Sequence, residues 1–133
     1  MATQTQPLTR DQLAALPDSY FKAVDVKDVD RILSHFADEA TMTVQTANAV
    51  FAGGDEIRRM FVDFCDNSVS IFHELKNIVV EAEAGKVATE QSYVGELVDG
   101  TKNEMHNCNF FDIDADGKFT RVIIWMAGTN PLK

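Results

Sequence analysis

The sequence predicts an α+β fold in which three N-terminal helices pack on one face of a long, strongly curved antiparallel sheet. Three observations carry this expectation. Apolar residues recur at helical spacing up to about Phe64, the period changes to alternation after Ser68, and short turn sequences then divide the second half into four strands. Helices cannot lie flat on a sheet twisted this far, so a pocket enclosed between the two layers is expected, and function is sought there.

MATQTQPL, residues 1–8, reads as a flexible tail ahead of a single domain spanning 9–133. A chain of 133 residues buries roughly two thirds of its unfolded surface without a disulfide or metal. Thr9 is placed to cap the first helix, with Asp11 and Gln12 in its first turn, and Leu13, Leu16, Tyr20, Phe21 and Val24 form one apolar face. Pro17 lacks an N–H and crowds the preceding carbonyls, so it is expected to kink the helix or restart it near Asp18. Asp25-Val26-Lys27 is the corner before a second short helix, about Asp28 to Phe36. Ala40 to Gln45 alternates and is β-branched, which predicts a strand. Gly53-Gly54 breaks the chain, and Asp55 can cap a third helix carrying Ile57, Met60, Phe61 and Phe64 inward. The later strands are Ser70 to Val80, Lys86 to Val98, Lys102 to Ile113 and Phe119 to Ala127. Glu83-Ala84-Gly85, Asp99-Gly100 and Asp114 to Gly117 join them as an antiparallel meander.

Composition excludes several functions. A net charge of -9, with scattered basic residues, repels phosphate backbones and anionic lipid, which argues against nucleic acid as a partner. No apolar run approaches the ~20 residues that span a bilayer, and the first residues lack a secretory signal, so a soluble cytoplasmic protein is expected. Cys65 and Cys108 form no CxxC pair and read as reduced, buried thiols. Three histidines fall on different elements without HxH or HExxH spacing, and no Gly-rich phosphate loop or nucleophile elbow is present. Catalysis, if it occurs, is expected to use acid-base chemistry with no metal or organic cofactor. DIDADGKF, Asp112 to Phe119, imitates the start of a calcium loop, but its twelfth position is Ile123 where a bidentate glutamate belongs, and strands flank it. A hairpin turn is expected.

Alternation assigns the faces. His73 shares one with Ile71, Leu75 and Val79, opposite Phe72, Glu74 and Lys76, and so points toward the pocket. Asn107, Asn109 and Phe111 face in when His106, Cys108 and Phe110 face out, and Gln91 and Tyr93 share a face. His35, beside Phe36, is expected at the surface.

YFKAVDVKDVDRILSHFADEATMTV places an aromatic in the first helix, an acid at the helix corner, D-h-D before the next helix and F-x-D-E-A-T entering a strand. Together with GGDEIRRMF, FHELKNIVVE and FFDIDADGKF, it resembles the nuclear transport factor 2-like superfamily, in the SnoaL-like branch that also holds ketosteroid isomerases and scytalone dehydratase. The resemblance covers nearly the whole chain and implies a cone-like fold. Its isomerase members imply Tyr20 as donor to a substrate carbonyl, but Val44 stands where their base would and Asn109 where a supporting acid would. Its dehydratase members imply His73 and Asp25 as a proton-moving pair, while their second histidine is replaced by Leu97 or a nearby apolar residue. The resemblance thus implies a dehydratase, isomerase or cyclase acting on a small, largely apolar cyclic or polyketide-like molecule, or else a non-catalytic binding or dimerisation module of the same fold. The candidate catalytic residues are His73, Asp25, Tyr20 and Asn109, and the candidate pocket lining is Met42, Val44, Phe61, Gln91, Tyr93, Asn107, Phe111 and Met126. Epoxide hydrolysis would require an Asp-Arg-Asp cluster, which Arg58, Arg59 and Arg121 do not obviously form. Phe110, Ile123 and Trp125 leave the outer sheet face apolar, where a homodimer contact is expected.

Overall fold

The computed structural model describes residues 7–133, so the expected tail lies outside the described residues for positions 1–6. Three helices and six strands follow in the order α1 (Arg10–Asp25), α2 (Val29–Leu33), β1 (Phe36–Val44), β2 (Ala49–Ala52), α3 (Gly54–Asp66), β3 (Ser68–Glu81), β4 (Lys86–Leu97), β5 (Lys102–Ile113) and β6 (Phe119–Trp125). One short 3₁₀ turn, Gln45–Ala47, separates β1 from β2.

Thr9 caps α1 through a reciprocal box: its hydroxyl accepts the Gln12 N–H at 3.1 Å, and the Gln12 side chain accepts the Thr9 N–H at 2.9 Å. Pro17 does not restart the helix, contrary to expectation. It costs the Leu13 carbonyl one partner, and the buried face of Leu13, Pro17, Tyr20, Phe21 and Val24 holds the helix through it. Asp28 caps α2 by accepting the Arg31 N–H, and the helix ends at Leu33 because Phe36 already begins β1. Gly53, rather than Asp55, precedes α3. Its φ of 85° suits glycine, and its N–H donates to the Ala40 carbonyl at 2.7 Å, tying the helix start to β1.

Strand order in the sheet is β2-β1-β6-β5-β4-β3. The meander from β3 to β6 is antiparallel, but β1 runs parallel to β6, so the sheet is mixed rather than purely antiparallel. β2 is too short for alternation to reveal it; it pairs with β1 after Asn48 turns the chain at φ 53°. In β3 the register against β4 shifts between Leu75 and Asn77. That bulge turns Val79 outward at 66% exposure and Val80 inward at 7%, correcting the inward placement of Val79.

At the last hairpin, Asp114 accepts the N–H groups of Asp116 and Lys118 at 2.9 and 3.0 Å, while Gly117 takes φ 80°. Asp112 pairs with Lys86 at 2.9 Å. The stretch thus closes a turn.

α1 packs on β3 and β4, and α3 on β1 and β2. Between them Tyr20 sits among Phe36, Phe61, Phe111 and Phe119, with ring centroids 5.6–6.2 Å away. Two placements differ from expectation. Cys108 is exposed, because it shares the outer face of β5 with His106 and Phe110. His35 is buried, because its ring stacks on Phe119 and bonds at both nitrogens. Phe72, Val94, Phe110 and Trp125 leave the outer sheet face apolar and exposed. Among the described residues no helix is long and apolar enough to cross a membrane.

Candidate active site

β3 is the last strand of the sheet, so its outer edge has no neighbouring strand to accept its N–H groups. The final residue of α1 serves that purpose. Asp25 accepts the His73 main-chain N–H at 3.0 and 3.1 Å and, through Oδ1, the His73 Nδ1–H at 2.7 Å. One carboxylate therefore fixes both the backbone and the ring of His73. Both side chains are largely sheltered, at 12% and 17% exposure. Phe21 and Tyr93 flank the imidazole, with centroids at 4.9 and 5.3 Å and planes tilted by about 30°.

The corner that delivers Asp25 depends on Lys27, which the sequence placed at that corner without assigning it a role. Its φ of 60° is a left-handed conformation that costs a side-chain-bearing residue about 1–2 kcal/mol. Its ammonium donates to the Ser68 carbonyl and, at 3.3 Å, to that of Val69, binding the corner to the start of β3. A lysine following Asp-Val at a helix end is the available signal, but nothing in the sequence says which carbonyl it reaches.

A cavity of about 40 Å³ lies against His73. Tyr20, Phe61, Gln91, Tyr93, Asn107, Asn109 and Met126 line it among the expected residues, and Phe21, Val24, Phe64, Ile124, Pro131 and Leu132 join them. Met42, Val44 and Phe111 do not line it. Each is fully buried in the packed core, where α3 covers β1 and the aromatic cluster surrounds Phe111.

Hydrogen bonds orient the polar groups. Thr89 donates its hydroxyl to Gln91 Oε1 at 2.7 Å, and Gln91 Nε2 donates to Asn109 Oδ1 at 3.0 Å. Asn107 Oδ1 accepts the Ala127 N–H at 3.0 Å. Both asparagine carbonyls are therefore engaged, and their NH₂ groups have no protein partner among the described residues. Burial first, and the nearby Cys65 second, push the Tyr20 phenol well above its ordinary value, so it stays a neutral donor. Tyr93 presents a different case: its buried hydroxyl, beside Asn103, meets no geometric hydrogen-bond partner among the described residues and lies over Gly95, where a β-carbon would come within 2.4 Å of it.

Among the described residues no three His, Cys, Asp or Glu side chains converge to hold a metal. Among the described residues no arginine lines the cavity: Arg58 pairs with Asp30 at 2.8 Å, Arg59 with Asp63 at 2.9 Å, and Arg121 lies 3.8 Å from Asp112.

A SnoaL-like domain model matches residues 18–122. No match was found among curated proteins. Among solved structures, the chain is similar to a candidate aromatic ring hydroxylase from Novosphingobium aromaticivorans, at 25% identity over 93% of this chain and 94% of that one, with a TM-score of 0.80. It is also similar to AusH from Aspergillus nidulans, at 18% identity over 93% and 89% with a TM-score of 0.81. An LEH-like epoxide hydrolase from M. tuberculosis matches at 14% identity over 87% and 83%, with a TM-score of 0.76. The last two likenesses speak for the fold alone. With the family model spanning most of the chain over this six-stranded α+β architecture, the protein belongs to the SnoaL-like domain family of the nuclear transport factor 2-like superfamily.

Proposed function

We propose that this protein is a cofactor-independent acid-base enzyme that dehydrates, isomerises or cyclises a small, mostly apolar cyclic or polyketide-like metabolite in a cone-shaped pocket. One observation carries the reading: Asp25 occupies His73 Nδ1, while His73 Nε2 has no protein partner among the described residues and belongs to a cavity wall. The carboxylate selects the tautomer whose free lone pair is on Nε2 and stabilises the imidazolium once that nitrogen takes a proton. Nε2 removes a proton from the carbon beside a carbonyl, and the electron pair moves onto the carbonyl oxygen. Tyr20 and the NH₂ of Asn109, supported by Asn107, donate to that developing oxyanion. The proton then returns from Nε2 to another carbon in an isomerisation, or to a departing hydroxyl in a dehydration. Epoxide hydrolysis fits less well, because the wall supplies no arginine for an Asp-Arg-Asp arrangement.

Residues 9–133 act as one unit in this reading, and the copies pair through the outer sheet face around Phe110, Ile123 and Trp125. That apolar surface, set against a net charge of -9, supports a homodimer in the cytoplasm, where both thiols stay reduced.

The cavity's size favours a second reading, a non-catalytic ligand-binding or dimerisation module. About 40 Å³ holds a water or two, whereas small-molecule sites usually measure ~300–1,000 Å³. A panel of cyclic ketones in deuterium oxide, followed by NMR, separates the two. The enzyme reading expects deuterium to enter beside the carbonyl of at least one ketone, and this exchange to collapse in His73→Gln. Bound ketones that exchange no faster than in buffer would leave only the binding module.

A further inference from the structure

Next to the His73 cavity lies a groove of about 690 Å³, bounded by the end of α3, the β4–β5 turn and residues 129–133. Phe64 and Pro131 belong to the walls of both spaces. Pro131 thus stands between them beside Leu132, which is 6% exposed and lines the cavity but not the groove.

Little besides Leu132 holds that partition in place. Asn130 exchanges two hydrogen bonds with the Leu132 main chain, at 2.6 and 2.8 Å, but both are internal to the segment. Among the described residues no main-chain hydrogen bond joins 128–133 to the rest of the fold, and the tie from Arg59 to the Lys133 carbonyl is long, at 3.4 Å. The root, by contrast, is anchored: the Met126 N–H donates to Thr46 Oγ1 at 2.7 Å and the Ala127 N–H to Asn107. Gly128 marks the change from anchored to loose, so the segment can swing while Asn107 keeps its orientation.

We propose that residues 129–133 are a displaceable plug, and that Leu132 stands in the space taken by the apolar end of the ligand. This rests on reading the His73 cavity as the ligand site. With Leu132 withdrawn, cavity and groove adjoin past Phe64 and reach the volume of an ordinary small-molecule site. The fitting ligand is an elongated amphiphile, its apolar end beside Phe61 and Phe64 and its polar end in the groove with Thr101 and Asn103.

Ethoxycarbonylation of histidines by diethyl pyrocarbonate, mapped by peptide mass, reads access directly. Exposed His106 is the reference and buried His35 the control for loosening of the fold. In the wild type, His73 should react far more slowly than His106. Leu132→Ala should speed His73 by about tenfold or more, since less buried apolar surface opposes opening, with His35 unchanged. In that variant 1-octanol, filling the vacated space, should protect His73 again. A wild-type His73 as reactive as His106 would overturn the plug. So would a rate untouched by Leu132→Ala, a rise matched at His35, or no protection by octanol. Modification reports access whether or not His73 catalyses, so a failure of His73→Gln to lower deuterium exchange would remove the enzymatic reading and leave this result standing.

Discussion

His35 and His73 are both sheltered imidazoles beside phenylalanine rings, yet their surroundings leave them with opposite capacities. His35 donates Nδ1–H to the Arg31 carbonyl at 2.8 Å and accepts from the Ser19 hydroxyl at Nε2, at 2.9 Å. Both nitrogens are satisfied by neutral groups, and burial lowers its pKa, so the ring stays neutral and joins α1 to the end of α2. His73 donates Nδ1–H to a carboxylate and has no protein partner at Nε2 among the described residues. Burial alone does not distinguish the base proposed at His73 from a structural imidazole; the unused nitrogen and the charge of its partner do.

Exchanging each ring for an amide tests that contrast most severely. His73→Gln should lower the rate of ketone proton exchange by about 10²–10⁴-fold, the usual worth of a positioned base. His35→Gln should leave kcat near the wild-type value and lower the melting temperature instead. Equal losses of activity in the two variants would erase the distinction.

Replacing the carboxylate is the next largest change. Asp25→Asn should lower kcat on the order of 10²–10³-fold with KM little altered, because the amide no longer selects the tautomer or stabilises the imidazolium. Unchanged kcat would reduce Asp25 to a cap on the strand edge.

The donors should matter less than the base. Asn109→Leu removes an oxyanion donor and should cost about 10²-fold in kcat. Gln91→Leu only frees the Asn109 amide to flip, and a loss of about tenfold is expected, near one lost hydrogen bond of orientation. A Gln91 variant as impaired as the Asn109 variant would mean that Gln91 itself meets the substrate.

The smallest effect belongs to His35. Its folded pKa lies below the unfolded value, so its contribution is complete above about pH 6.5 and is lost as pH falls toward the folded pKa, where the unfolded chain binds the extra proton. Denaturant midpoints measured across that window should drop with acidification in the wild type and drop less in His35→Gln. Equal slopes would place the titration elsewhere.

Much of this contrast was readable in the sequence, and the unreadable part has identifiable causes. Alternation aimed His73 inward because β3 is regular from Ser70 to Leu75; beyond it the bulge reversed Val79 and Val80, which no local pattern announces. Counting back from the Asp114–Gly117 turn placed Asn107 and Asn109 inside and His106 outside, because that hairpin sets the register of β5 against β6. His35 was misplaced, since it lies in the turn past the end of a five-residue helix, where no helical face is defined, and the partner that buries it, Phe119, arrives from the last strand. The restart expected near Asp18 does not occur for a similar reason: the penalty of Pro17 is local, whereas the burial that offsets it comes from the sheet.

By itself, the sequence determined the element types and most strand faces, because the periods of 3.6 and 2 arise from backbone geometry shared by neighbouring residues. It also limited the candidate chemistry to one histidine, one corner acid, one tyrosine and a few amides. Only the tertiary structure decided that Asp25 reaches the main-chain N–H and the Nδ1 of His73 across 48 residues, and that Gln91 and Ala127 turn two amides toward the cavity. The same holds for Leu132, which closes that cavity from the far end of the chain. Those contacts depend on an exposed strand edge, a left-handed Lys27 tethered to Ser68, and the mixed sheet that folds the two halves together, none of which a local pattern encodes.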